Sequence, residues 1–266
     1  MILVAGGTGR LGSELVRRLI AQGERVRVLS RDPARAAHLH GVEVVVGDVR
    51  QPADLGAAVQ GVSAIVSAVH GFVGKGHVTP ASVDRDGNAN LIDAARTVGA
   101  HYVLMSVIGA SPNHPLELFR MKAAAEQHLQ HSDLPWTVVR AGAFLELYQD
   151  LTRRTAARSK RPLVFGRGGN PIQFASISEV ATVLERALTD PSARGTVIQV
   201  DGPFMTFNQL AASLAPELGA AASRPRHFPR AMLRCMAVAR STPPGRQAHS
   251  ALIMNSYDLE TGQVAR

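Results

Sequence analysis

The sequence predicts an α/β fold: a doubly wound parallel sheet with a small C-terminal lobe. Short apolar runs alternate with amphipathic segments through roughly the first 140 residues, which is the rhythm of β-α-β units around a parallel sheet. The chain has 266 residues, 45% of them hydrophobic, which is enough for one large core. We therefore expect a single domain over 1–266, with the sheet-forming core at about 1–145 and the lobe, ending in a basic tail, at about 146–266.

The first β-α-β unit is the clearest. Met1 to Ala5 is an apolar run of strand length. Arg10 to Ala21 places leucines at helical spacing on one face, and Gly23 ends that helix. Weaker patterns continue the alternation. Further strands are predicted at 26–29, 42–46, 64–68, 102–105, 137–139 and 197–200, and further helices at 55–59, 83–98, 117–130, 178–188 and 207–218.

Glycines and prolines mark the irregular segments. Gly71, Gly74 and Gly76 predict a flexible loop after the fourth strand, which can cover a site. The tail from Ala220 onward is rich in proline, so we expect it to wrap the body or to lie partly disordered. It also holds seven arginines, the last three of which are Arg240, Arg246 and Arg266, and only two acidic residues.

Composition excludes several function classes. No run approaches the roughly 18 apolar residues that span a bilayer. The single cysteine, Cys235, forms neither an internal disulfide nor a Cys-x-x-Cys pair. This use of cysteine fits a reducing cytoplasm. The histidines lack metal-ligand spacing, so no metal is expected. The net charge of +8 can attract an anionic partner, but an aromatic content of 5% disfavours nucleic acid.

The segment after the first strand is the strongest motif. It reads Gly6-Gly7-Thr8-Gly9-Arg10-Leu11-Gly12, with glycines at Gly-x-x-Gly-x-x-Gly spacing. Glycines let the backbone approach a pyrophosphate, and the unpaired N–H groups and dipole of the helix N-terminus favour its charge. A Rossmann-type dinucleotide site is therefore predicted. The expected contacts come from Gly6, Thr8, Gly9, Arg10, Leu11 and Gly12.

The end of the second strand predicts NADP, with NADPH preferred over NADH. An NAD site has a carboxylate here for the ribose 2′-hydroxyl, whereas this strand ends Leu29-Ser30-Arg31. Arg31 can pair with a 2′-phosphate and Ser30 can donate a further hydrogen bond. Asp32 is the alternative carboxylate, but before Pro33 it fits the cap of a helix.

The loop GGTGRLG, the strand end LSR, the stretch GDVRQP and the segment from Lys122 to Phe144 occur in that order. With them the chain resembles the NmrA-like group of atypical short-chain dehydrogenases/reductases (atypical SDR) over at least residues 1–210. The resemblance implies that Asp48, with Val49 beside it, binds the adenine, although Asp48 can instead cap a turn. It further implies that the adenosine ribose and pyrophosphate lie against Ser67, Ala68 and Val69. Phe144 is expected to face the nicotinamide or the substrate, with a core contact as the alternative.

The same resemblance bears on catalysis. Members with full dehydrogenase chemistry have a serine and then Tyr-x-x-x-Lys. Here Ser106 and Lys122 match that pattern, but Leu118 stands in place of the tyrosine. The usual general acid is therefore absent. Lys122 is expected to bind the ribose or to donate a proton, and Ser106 is either catalytic or a structural hydrogen-bonding residue. Weaker candidates for the acid are His70, His77 and Tyr148.

Two functions follow as expectations. The first is NADPH-dependent reduction of a small quinone-like or conjugated carbonyl substrate, which the cover loop and the lobe favour. The second is a non-catalytic, NADP(H)-sensing regulatory protein that binds a protein partner, which the missing tyrosine favours. The sequence names neither the substrate nor an oligomeric state.

Overall fold

The structure, a computed structural model, describes residues 1–157, 160–239 and 241–254, and the backbone of 257–258 and 263–264. It divides into two compact units. The first unit comprises Met1–Ala141 and Ile177–Val200, and the second comprises Gly142–Ser176 and Asp201–Arg266. That the chain forms a single domain stays a prediction.

The strands and helices alternate along most of the first unit. In chain order the strands are β1 Ile2–Ala5, β2 Val26–Ser30, β3 Val42–Val46, β4 Ala64–Ser67, β5 His101–Val107, β6 Trp136–Ala141, β7 Ala143–Phe144, β8 Leu163–Phe165, β9 Ile172–Ala175, β10 Thr196–Val200, β11 Phe204–Met205, β12 Arg226–Phe228, β13 Tyr257–Asp258 and β14 Gln263–Val264. The helices are α1 Arg10–Ala21, α2 Leu55–Val59, α3 Asp86–Arg96, α4 Glu117–Gln130, α5 Leu145–Ala156, α6 Ile177–Thr189, α7 Phe207–Ser213, α8 Ala215–Leu218, α9 Arg230–Ala237 and α10 Pro243–Met254.

Seven of the described strands form one parallel sheet in the order β10-β6-β5-β4-β1-β2-β3. The central strands β1 and β4 are buried at every residue, as expected for a parallel sheet covered on both faces. The chain changes direction across the sheet between β1 and β4. Ligands of such sheets bind outside the carboxyl ends of the strands at this switch point. The predicted doubly wound α/β fold is confirmed.

Several predicted bounds agree with the structure, namely α1, α2, α4 and β3. The predicted helix at 83–98 differs, because a π-helical turn, Pro80–Arg85, precedes α3. The predicted helix at 207–218 is divided at Leu214, since Pro216 lies in the first turn of a new short helix, α8.

The boundary between the units also differs from the prediction. The lobe is predicted at about 146–266, whereas α6 and β10 belong to the first unit. The reason is strand pairing: Thr196–Val200 runs parallel to β6 and extends the main sheet. Across the described residues no helix is long and apolar enough to cross a membrane.

Part of the tail is packed, where the sequence left wrapping of the body and partial disorder open. Leu233 and Ala237, one turn apart on α9, pack with Ala248 of α10 against Phe165 and Phe228 of the second unit. For 226–237 and 243–254 the structure favours packing over disorder, because apolar residues at helical spacing supply a small core. The predicted basic positions Arg240 and Arg266 lie outside the described residues.

Candidate cofactor and active site

The glycine loop fits a diphosphate because its backbone is packed too closely for side chains. Gly6 has a φ of +86°, and a Cβ there would lie 2.6 Å from the carbonyl oxygen of Ala68. A Cβ on Gly12 would lie 2.2 Å from the carbonyl oxygen of Gly6. Gly9 donates its N–H to that same oxygen at 2.9 Å, which closes the turn.

The N-terminus of α1 is open to an anion. Its N-cap, Gly9, has no side chain that could bind the first N–H groups, and the first turn contains no acidic residue. Leu11 is buried, so it can meet a ligand only through its backbone, while Thr8 is half-buried and Arg10 is exposed. The loop therefore presents backbone N–H groups and one arginine, a donor set that suits a diphosphate.

The end of β2 separates the two residues that we predict to bind the 2′-phosphate. Ser30 is buried, and its Oγ donates to the carbonyl oxygen of Asp32 at 2.8 Å, so the hydroxyl closes a turn. Asp32 accepts from the N–H of Ala34 at 3.0 Å, which confirms it as a helix cap. Arg31 is exposed at the carboxyl edge of the sheet. Of these groups, the guanidinium is the one placed to meet a phosphate from solvent.

Asp48 follows β3 and is held by its neighbour. Arg50 donates Nε to Oδ1 and Oδ2 at 3.1 and 3.0 Å, and its N–H to Oδ1 at 3.0 Å. Burial opposes the charge of Asp48, but the hydrogen bonds and charge of Arg50, with Arg31 nearby, hold its pKa below the usual value. Val49 is buried, and its carbonyl accepts from Asn90 Nδ2 at 3.0 Å. A role in adenine binding stays a prediction.

The end of β4 approaches the glycine loop through its backbone. Ser67 is fully buried and donates to Asn88 Oδ1 at 2.6 Å, so its side chain faces the core. The carbonyl of Ala68 packs against Gly6, and the carbonyl of Val69 accepts from Lys122. The segment therefore offers backbone to the loop, and the predicted contacts of Ser67, Ala68 and Val69 with the ribose and pyrophosphate stay predictions.

Lys122 is almost fully buried, with three protein partners. Its Nζ lies 3.0 Å from Oδ1 of Asp84 and donates to the carbonyl oxygens of Met105 at 3.0 Å and Val69 at 3.2 Å. Two of the three ammonium donors therefore go to backbone carbonyls, and Asp84 supplies the opposite charge. Lys122 therefore joins the carboxyl ends of β4 and β5 to the π-helical turn. Its predicted contact with a ribose stays a prediction.

Asp84 is the residue that sequence reasoning missed. It lies in the π-helical turn, is fully buried, and accepts the N–H of Gly71 at 2.8 Å on Oδ2, while Nδ1 of His70 lies 3.6 Å from Oδ1. Burial would raise its pKa, but Lys122, His70 and the Gly71 N–H together lower it. The carboxylate is therefore ionised. No pattern in the sequence marks Asp84, because its burial follows from packing between elements that are distant along the chain.

Ser106 has a structural partner. The residue is almost fully buried, and its Oγ donates to Oε1 of Glu126, which also accepts from Nε of Arg140 at 3.0 Å. The hydrogen bond and charge of Glu126 raise the pKa of Arg140. The alternative of a structural hydrogen bond is thus observed, and a catalytic role for Ser106 stays a prediction.

Two aromatic candidates lie in the second unit. Phe144 is half-buried in β7, paired with Ala175 of β9. Tyr148 of α5 contacts the rings of Phe174 and Phe207, with centroids 5.8 and 5.2 Å away, and burial raises its pKa. Tyr148 is therefore an aromatic core residue, which makes it a poor proton donor near neutral pH.

The comparisons with known proteins agree with this geometry. Residues 6–191 match the family model described as NAD(P)H-binding. The chain is 36% identical to the NAD(P)H azoreductase of Xenophilus azovorans over 232 residues, which are 86% of this chain and 76% of that protein. It is 31% identical to the photosystem II assembly factor Ycf39 of a Synechocystis strain over 201 residues, 73% of this chain and 60% of that protein.

A solved structure shares the fold. The NADPH-dependent quinone oxidoreductase QOR2 of Escherichia coli, in complex with NADPH, superposes with a TM-score of 0.76 at 23% identity. The match covers 96% of this chain and 89% of that one. At this identity the likeness concerns the fold.

Proposed function

The chain belongs to the NAD(P)H-binding family, and on that premise we propose that it is an NADPH-dependent reductase of small quinone-like or conjugated carbonyl compounds. The observation that carries the proposal is the glycine cradle, in which a Cβ on Gly6 or Gly12 would collide with backbone. When bound, NADPH supplies a hydride. Residues of the chain then have to bind, orient and protonate.

Binding is assigned to the loop and to the end of β2. Backbone N–H groups at the start of α1 hold the diphosphate, with Arg10 beside them. Arg31 recognises the 2′-phosphate, because an exposed guanidinium can form charge-assisted hydrogen bonds with it. Such bonds contribute about 1.5–3 kcal/mol each, which makes NADPH the preferred cofactor over NADH.

The substrate class follows from what the site lacks. Leu118, half-buried in the first turn of α4, stands where a tyrosine would protonate an alkoxide. Quinones and conjugated carbonyls spread the added electrons over several atoms, so a group other than the usual tyrosine can supply their proton. Similarity to an NAD(P)H azoreductase supports an electron-poor acceptor of this kind.

A single cysteine supports a cytoplasmic location.

The test is anaerobic oxidation of NADPH, followed by its absorbance, with a panel of quinones, azo dyes, enals and aldehydes. Turnover with one of the first three classes is the expected result. Arg31→Ala should raise KM for NADPH while leaving kcat with saturating NADPH unchanged. Arg35→Ala is the matched control, because it removes an exposed arginine from the adjacent turn. Tight NADPH binding without oxidation across the whole panel would refute the reductase proposal.

That last outcome would favour the second candidate, an NADP(H)-sensing regulatory protein. The replacement of the catalytic tyrosine by Leu118 and the similarity to a photosystem II assembly factor support it. A sensor should bind a protein partner with an affinity that changes when NADPH replaces NADP⁺. Pull-down from a lysate with each cofactor form, compared with the Gly12→Ala variant, measures this dependence.

A further inference from the structure

We propose that His70 is the proton donor of the reduction and that buried Asp84 positions it. This inference rests on the proposed function and names the acid that the missing tyrosine leaves unassigned. The juxtaposition is specific: Nδ1 of His70 lies 3.6 Å from Oδ1 of Asp84, whose side chain is fully buried, while the His70 side chain is 44% exposed.

The loop geometry fixes the imidazole at the carboxyl edge of the sheet. His70 follows β4 closely, and the N–H of the next residue, Gly71, binds the other oxygen of Asp84 at 2.8 Å. A Cβ on Gly71 would lie 2.2 Å from the carbonyl oxygen of Thr79, so the loop folds tightly onto itself there. The ring of Phe72 lies 5.9 Å from the imidazole. The carboxyl edge is where parallel α/β sheets bind their ligands.

The charges suit proton donation. Asp84 is ionised, because burial is outweighed by Lys122, His70 and the Gly71 N–H, which lower its pKa. The carboxylate lies on the Nδ1 side of the ring, so Nε2 is the nitrogen left to donate a proton to a substrate. Lys122, from α4, lies 3.0 Å from the same oxygen of Asp84, Oδ1. Lys122 is then a positioning residue and not the acid.

The acceptor receives two electrons and one proton as hydride from NADPH, so a C–H bond of the dihydronicotinamide breaks and a new C–H bond forms at the acceptor carbon. The carbonyl oxygen takes the second proton from Nε2 of His70, whose N–H bond breaks. NADP⁺ and a neutral imidazole remain, and water returns a proton to the exposed ring.

The kinetic test compares His70→Ala with His77→Ala, an exposed histidine of the same loop. With an enone or quinone, His70→Ala should lower kcat by about 10²–10⁴-fold, and added imidazole should restore part of it. With a triarylmethyl cation, which needs hydride alone, the variant should match the wild type. His77→Ala should match it with both acceptors, and the Kd for NADPH should stay unchanged. Unchanged turnover, an equal fall with both acceptors, or no rescue by imidazole overturns the inference.

A second measurement does not depend on turnover. In ¹⁵N spectra of the histidine rings, Asp84→Asn should move the His70 signals, which His70→Ala assigns. If this variant does not fold, Asp84→Asn with Lys122→Met removes both buried charges and serves instead. Unmoved His70 signals would refute the positioning by Asp84. If the wild-type protein oxidises no NADPH with any acceptor, the proposed function fails, and this inference fails with it. If the wild-type protein turns over normally and the His70→Ala variant is unaffected, this inference alone is overturned.

Discussion

Replacing Gly12 by alanine tests the diphosphate cradle directly. The added Cβ would lie 2.2 Å from the carbonyl oxygen of Gly6 and 2.7 Å from Cα of Gly7, and both atoms are backbone. A separation of 3.0 Å is the least that real Cβ atoms accept, so the start of α1 has to move by about 0.8 Å relative to the loop. That movement displaces the N–H groups that we assign to the diphosphate.

The expected magnitudes follow from this displacement. Loss of one hydrogen bond to a charged group costs about 1.5–3 kcal/mol, which corresponds to a roughly 10- to 150-fold higher Kd for NADPH. Overpacking costs about 1–3 kcal/mol of folding free energy, while alanine in a helix regains about 1 kcal/mol relative to glycine. The net loss of stability is therefore at most about 2 kcal/mol, or roughly 8 °C in Tm. The protein should fold and bind NADPH weakly.

The assay is a fluorescence titration with NADPH, together with thermal unfolding in its absence. Gly56→Ala is the matched control: it is the same substitution in a helix, and a Cβ there meets nothing within 4 Å, so Kd should not change. Gly9→Ala, whose Cβ would lie 3.3 Å from the same Gly6 oxygen, should give an intermediate effect. A Gly12→Ala variant that binds NADPH within twofold of the wild type would refute the cradle.

Three further predictions concern separate groups. Arg31→Ala should raise the Kd for NADPH about 10-fold or more without changing the Kd for NADH, and Arg35→Ala should change neither Kd. An equal effect of Arg31→Ala on both cofactors would contradict the phosphate assignment. Ser106→Ala removes a donor to Glu126 and should lower the free energy of unfolding, measured by chemical denaturation, by about 1.5–3 kcal/mol while kcat is unchanged. A fall in kcat with no loss of stability would instead support a catalytic role for Ser106. Burial lowers the pKa of His114 in the folded protein to about 4, whereas the pKa in the unfolded chain is about 6.5. Between these two pH values the unfolded state binds more protons than the folded state. Stability should therefore fall by up to about 3 kcal/mol as pH drops from 6.5 to 4, and His114→Phe should flatten this slope.

The glycine loop was predictable because its geometry is local. Seven consecutive residues, from Gly6 to Gly12, contain both the close backbone approach and the helix start, and flanking strands of clear periodicity fix their place in the fold. Residues at the strand ends, such as Arg31, follow from the same sheet order. Their side chains were harder to predict: Ser30 turns its hydroxyl to Asp32, because a buried hydroxyl needs a partner nearby.

The catalytic half was not predictable in this way, since its contacts are distant along the chain. Lys122 meets Val69, which is 53 positions away, and also meets Asp84 in a π-helical turn that a regular helical pattern does not indicate. In the pattern 83–98, Asp84 looked like one polar residue of an amphipathic helix. Only the packing of three elements on one ammonium group reveals it as a buried counterion.

This packing also explains how the lysine can persist where the tyrosine has been replaced. If Lys122 served only to assist a tyrosine, Leu118 would leave it without a function, and a buried ammonium is costly to keep. Its actual partners are a carboxylate and two strand-end carbonyls, so removing the lysine would leave Asp84 buried and uncompensated, at a cost of about 3–5 kcal/mol. The lysine is therefore retained by the fold at the carboxyl edge. Of the two groups on Oδ1 of Asp84, His70 has the exposed side chain, which is why we assign the proton to it.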